Sequence, residues 1–309
     1  MSAHASAVPR WAGPTNQRRH NGMAVPGKPV RAMKGLLLLV CCLAVVGPFV
    51  AVVSTSIADP NQVNSAGGLV LWPHHPSLNS YRAILAGGIV TRSIFVSLAI
   101  TAVGTTLSLL CSALLAYSLS RPGTFASKPM LMTVLFTLLF APGIIPSYLM
   151  VKELHLLKSY WSLILPTMIS GFNVIVLRAF FMELPQELLD AARIDGAGEI
   201  STLFRIVFPL SKAALAVIGL FYAVGYWNSF FNALLYLNDN SKWPLQLVLR
   251  SYVVNNSSLT VDQLQFTNLP PQQSLQMAIL VMSLLPIVIV YPFIQRHFAK
   301  GVLIGAVKG

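Results

Sequence analysis

The chain has 309 residues, 55% of them hydrophobic and only 10% charged, with a mean hydropathy of +0.69. A soluble globular domain carries about 25% charged residues, so the composition argues against a soluble enzyme, a disordered protein and a nucleic-acid-binding domain. The net charge of +12 does not point to nucleic acid either, because the basic residues sit at the ends of long uncharged runs.

Residues 1–34 are polar, basic and rich in Gly, Pro and Ala, and read as a disordered cytoplasmic tail in which Met23 is an alternative start. Six segments follow that meet the roughly 20 apolar residues a spanning helix needs: 35–56, 93–120, 129–151, 159–177, 213–238 and about 274–295. The first is too long and begins too late for a cleaved signal peptide, whose apolar region runs about 7–15 residues. The expected fold class is an all-α integral membrane protein, with residues 35–309 as one six-helix domain.

Orientation follows from Lys and Arg in the loops. Fifteen basic residues fall inside if the N-terminus is cytoplasmic: Arg10, Arg18, Arg19, Lys28, Arg31 and Lys34 in the tail, Arg121 and Lys128, then Arg178, Arg193, Arg205 and Lys212, and finally Arg296, Lys300 and Lys308. Six fall outside. The expectation is N-in, C-in. Of the external loops, 57–91 holds Trp72 and Tyr81, residue types that favour the membrane surface. The polar loop 239–273 is the expected contact for an external partner.

The spans contain none of the nine acids and none of the six histidines. Ion-coupled carriers place ionisable groups at mid-membrane, and no P-loop or nucleophile elbow is present. Cys41, Cys42 and Cys111 lie in apolar runs without metal spacing. No metal site or cofactor is expected on the chain, and a transport function would draw its energy from another subunit.

Five of the nine acids gather between Glu183 and Glu199, in the cytoplasmic loop 183–211. Pro185 suits a first helical turn, Gly196 and Gly198 interrupt, and Glu199 stands at the start of a second short helix that Pro209 stops. A helix resting on lipid headgroups would carry a basic polar face. This acidic, small-residue helix suits docking into a groove on a soluble protein, with Ala191 and Ala192 allowing close approach.

The loop resembles the EAA loop of ABC importer permeases: E-A-A, three residues, G, nine residues, I-x-L-P. Asp190, Ala191, Ala192, Gly196, Ile206 and Pro209 occupy matching positions, with Asp190 in place of Glu and Phe208 in place of Leu. The stretches Asp190–Glu199, Tyr226–Asp239 and Lys300–Gly309 are similar to the carbohydrate-uptake, maltose-permease-like branch. The resemblance implies a type I ABC importer permease fold in a bacterial plasma membrane. It also implies ATPase docking by the six matched residues, a second and different permease chain, two cytoplasmic ATPase subunits that carry ATP and Mg, and an external solute-binding protein delivering an oligosaccharide.

For the substrate path, Tyr222, Tyr226, Trp227, Asn228 and Asn232 in the fifth span are the candidates. Asn228 and Asn232 are four apart and so share a face of a continuous helix, as do Tyr222 and Tyr226. Amides and aromatic faces suit a sugar, while interhelix hydrogen bonding is the alternative use of the same residues. Pro142, Gly143 and Pro146 are expected to kink or unwind the third span. Two other functions stay open at this point: a membrane scaffold that recruits a cytoplasmic protein, and a permease for a non-sugar solute.

Overall fold

The computed structural model describes residues 28–86, 88–254 and 270–306, and among them every regular element is helical. The chain divides into two compact units between Phe49 and Val50. The first unit contains most of α1 (Lys28–Ser56). At about 1.5 Å per residue, 29 residues reach about 43 Å, enough to cross a bilayer. Leu36 to Leu39 are more than half exposed, as side chains facing lipid would be. Helix begins at Lys28, so the disordered tail does not extend to Lys34; Pro29 in the first turn gives up no needed hydrogen bond and presets φ. The rest of that tail, with Met23, lies outside the described residues.

In the second unit, α2 (Pro60–Ser65) and α3 (Asn79–Leu85) lie in the loop 57–91, and α4 (Ile89–Ser120) is the axis. Small residues recur every fourth position along one side of α4: Gly104, Ser108, Ser112 and Ala116, all buried. Small side chains let helix backbones approach closely where lipid removes the hydrophobic drive to associate. The partners are α8 (Gly171–Met182) and α12 (Lys212–Trp227).

The spans are less continuous than their hydropathy suggests. The third is split into α5 (Ser127–Leu139) and α6 (Ile144–Glu153). Pro142 cannot donate a helical hydrogen bond and Gly143 adopts φ +82°, so the expected kink is a full break. The fourth pairs α7 (Trp161–Ile164) with α8 across a bend of 52° at Met168–Ser170. The fifth ends at Trp227, and a separate α13 (Phe230–Tyr236) follows. Beyond α1, two helices, Ile89–Ser120 and Gln272–Pro292, are long and apolar enough to span unbroken.

The loop 239–273 is also more structured than a polar connection. Its first part forms α14 (Leu245–Leu249), where Leu245 and Val248 are fully buried and the Leu245 N–H donates to Ser97 Oγ at 2.8 Å. Leu, Val and Tyr252 bury against α4 and α15 (Gln272–Ala306), which overrides the polar reading of this stretch. Residues 255–269 lie outside the described ones.

Candidate functional site

The acidic loop folds as two helices joined at a glycine: α9 (Gln186–Ile194) and α10 (Glu199–Thr202), the latter running through a π-helical turn, Leu203–Val207, into α11 (Phe208–Leu210). The Ala197 N–H bonds to the Ala192 carbonyl at 2.9 Å and the Gly196 N–H to the Arg193 carbonyl at 3.1 Å. With Gly196 at φ +76°, this is the Schellman ending of a helix, which places a left-handed residue where only glycine is unstrained. Helix continues through Pro209 to Leu210 and stops at Ser211, two residues later than expected. Pro209 has no N–H for the Arg205 carbonyl, and the turn ahead of it is π-helical, with the Phe208 N–H on the Leu203 carbonyl. A bend of 87° then carries the chain into α12.

The matched residues divide between two faces. Asp190, Ala191, Gly196 and Pro209 are exposed, whereas Ile206 is half-buried against the core and Ala192 is buried. Ala192, 6% exposed, therefore does not offer close approach to a partner, and Leu189 beside it seats α9 on the chain's own core. The outward apolar residues are Ile194, 86% exposed, and Ile200, 76% exposed, which flank the glycine joint. Sequence reasoning passed over them, although isoleucines flanking the joint between two short polar helices were the available signal.

Glu199 ties this loop to the end of α4. The Tyr117 hydroxyl donates to its carboxylate at 2.5 Å, Arg121 Nη2 donates to the Tyr117 oxygen at 2.6 Å, and the Arg121 guanidinium lies 4.6 Å from the Tyr117 ring centroid. Arg121 and Arg193 lie 3.7 and 3.6 Å from the same carboxylate. The Tyr117 hydroxyl bond holds the Glu199 carboxyl below the usual glutamate range; partial burial opposes it, and Arg121 and Arg193 add to the lowering. Arg178 Nε donates to the Leu119 carbonyl at 2.9 Å, giving the last turn of α4 a cationic cap.

At the breaks of the fourth and fifth spans lies a cavity of about 520 Å³. Its polar lining comes from Thr167, Ser170, Asn173, Asn228, Ser229 and Asn232, and its aromatic walls from Phe172, Phe221, Phe230 and Phe231; no charged side chain lines it. Tyr222 and Tyr226 also line it. The Tyr226 hydroxyl pairs with Ser108 Oγ at 2.7 Å and the Tyr222 hydroxyl with Ser112 Oγ at 2.6 Å. Tyr222 also accepts the Ser170 N–H at 3.0 Å, satisfying a backbone donor freed by the bend in the fourth span. Their hydroxyls thus bond between helices, the alternative use, and their rings also line the cavity.

Two expectations are corrected here. Asn228 and Asn232 do not share the face of one helix, because the chain breaks at Asn228–Ser229, yet both reach the same cavity. Trp227 turns away from it; its Nε1–H donates to the Ser283 carbonyl at 3.0 Å and its ring packs with Leu245, Val248 and Ile279. The four phenylalanines were not foreseen, since in an apolar span nothing distinguishes a cavity wall from a lipid-facing side.

Comparison with known proteins agrees with this geometry. The family model of the binding-protein-dependent transport system inner membrane component matches residues 83–304. The chain is 45% identical over 277 residues to the polygalacturonan/rhamnogalacturonan transport system permease protein YtcP of Bacillus subtilis strain 168, covering 89% of this chain and 96% of the relative. It is 43% identical to Protein LplC of the same organism, covering 85% and 89% of the two chains. A solved structure of a bacterial ABC transporter involved in the import of the acidic polysaccharide alginate superposes with a TM-score of 0.81 at 28% identity, covering 89% of this chain and 100% of that one. The chain belongs to the family of binding-protein-dependent transport system inner membrane components, as a membrane permease subunit of an ABC importer.

Proposed function

We propose that the chain is one of two different permease subunits of an importer for oligosaccharides released from acidic polysaccharides, and that it crosses a bacterial cytoplasmic membrane six times with both termini inside. The carrying observation is the cavity between broken spans, where amides, hydroxyls and aromatic rings converge without a charge. Such a lining offers hydrogen bonds to sugar hydroxyls and flat faces to sugar rings. The names of the relatives supply the acidic polysaccharide class.

In this reading an external solute-binding protein delivers the sugar. Two cytoplasmic ATPase subunits hold ATP and Mg and dock on the loop 183–211. Asp190, Ala191, Gly196 and Pro209 lie on its exposed side, while Ala192 and Ile206 hold it in place from within. The broken third span and the α7–α8 bent pair each count as one crossing, and the fifth crossing runs through α12 and α13.

The test is reconstitution of the purified complex in vesicles with its binding protein, and measurement of ATP-dependent uptake of labelled oligogalacturonides. Uptake that needs ATP, the binding protein and both permeases is expected, with Asn232→Ala raising the sugar concentration for half-maximal uptake. ATP hydrolysis that sugar-loaded binding protein stimulates without any uptake would leave the chain a scaffold; uptake of glycerol phosphates alone would move it to a non-sugar solute.

A further inference from the structure

We infer that the pocket where α4 ends, α5 begins and α8 ends is a binding site for the headgroup of an anionic phospholipid. The pocket measures about 430 Å³, and Arg121, Lys128 and Arg178 line it with no acidic side chain. Arg121, whose side chain is only 9% exposed, is held in place by Tyr117 and Glu199: its Nη2 donates to the Tyr117 oxygen at 2.6 Å and its Nε lies 3.7 Å from the Glu199 carboxylate. Arg178 spends Nε on the Leu119 carbonyl, which leaves its two terminal nitrogens unpaired among the described residues. Lys128 Nζ has no hydrogen-bond or ion-pair partner there either.

Backbone and loop chemistry point the same way. The 13-residue α5 starts after Ala126, a left-handed residue at φ 55° with no side-chain cap, and its first two residues, Ser127 and Lys128, line the pocket, so the positive end of its dipole lies there. Leu119, Leu131 and Met182 make the remaining wall apolar. Phe125, in the same loop, is 93% exposed, the placement of an aromatic anchor at headgroup level. Cations, a helix start, an apolar wall and an exposed ring together match a phosphate attached to acyl chains better than a free ion. Basic pockets between spanning helices bind anionic headgroups in this way.

The inference rests on the reading of α4, α5 and α8 as crossing a membrane, and its readout is independent of the sugar. The assembled importer is purified in nanodiscs of mixed phosphatidylglycerol and phosphatidylcholine, and retained lipid is counted by native mass spectrometry. The wild-type complex is expected to retain phosphatidylglycerol preferentially, and Lys128→Gln to weaken retention about fivefold, the effect of one surface cation. Lys152→Gln, on the exposed α6 and outside the pocket, serves as the control and is expected to change nothing. Equal retention by wild type and Lys128→Gln overturns the site. So does displacement of the lipid by millimolar inorganic phosphate, which would make it a free-phosphate site. Retention seen only when the ATPase subunits are stripped away also overturns it, assigning the cations to an acidic face of that partner. Uptake measured on the same preparations separates a failed lipid site from a failed transport assignment.

Discussion

Replacing Gly196 by alanine isolates backbone strain at the joint of the acidic loop. Nothing lies within 4 Å of a Cβ built at this position, so the substitution brings no clash. The whole cost is the left-handed backbone at φ +76°, about 1–2 kcal/mol for an L-residue. Gly198 is the control, because its φ is −68° and it also has open space, so alanine there brings no left-handed strain and only the modest loss of an N-cap glycine. The strain can be released only by abandoning the Schellman ending, which re-aims α10 against α9. If the ATPase binds the native angle, 1–2 kcal/mol becomes about 5–30-fold weaker ATPase binding. The assay is titration of detergent-purified permease pairs with labelled ATPase subunit, alongside ATP-dependent uptake in vesicles. Gly196→Asn should fall between wild type and alanine, since asparagine tolerates this conformation better. Equal affinities for Gly196→Ala and Gly198→Ala would refute the reasoning.

Three further outcomes follow from the geometry. Ile194→Asp and Ile200→Asp leave the core untouched, so membrane insertion should persist while co-purification of the ATPase falls at least tenfold, consistent with about 1.5–3 kcal/mol for each buried isoleucine. Gly104→Ala sets a Cβ 2.8 Å from the Tyr226 ring, and overpacking of about 1–3 kcal/mol should lower the thermal midpoint of the complex and slow uptake. Because the Glu199 carboxyl is held below its ordinary value, its tie to Tyr117 is fully present above the usual glutamate range of about 4.3 and is lost as pH falls through the lowered value. A spin-label distance between α10 and the end of α4 should stay constant from pH 7 to about pH 5 and lengthen in more acid solution; in Glu199→Gln it should already be long at pH 7.

The helices announced themselves where composition alone decides the outcome. The uncharged run between Arg92 and Arg121 appears as α4. Gly196 ends α9 at the expected residue, because a left-handed cap has few alternatives. Pro142 and Gly143 carry a visible breaking signal, but Asn228–Ser229 carries none, so the end of α12 could not be read from the chain. Which side of α9 turns inward was hidden for a different reason. Leu189 joins the core cluster and Ala192 is buried because the rest of the chain supplies a surface for them, and that surface exists only after folding. The cavity shared this obscurity: Phe172 and Phe221, whose ring centroids lie 6.4 Å apart, come from different spans, and nothing local marks them as neighbours.

The two tyrosine–serine bonds act together as a vernier between α4 and α12. Ser108 meets Tyr226 and Ser112 meets Tyr222, so four steps forward on one helix match four steps back on the other. A slide of one helical turn would exchange the two contacts for a single one, Ser112 with Tyr226 or Ser108 with Tyr222, and would move the Tyr226 ring relative to Gly104, on which it now packs. A slide thus costs one hydrogen bond, whereas a tilt of α4 and α12 as a pair keeps both, and in the proposed reading a movement of residues 199–210 would reach the cavity as such a tilt through the 87° bend at Ser211.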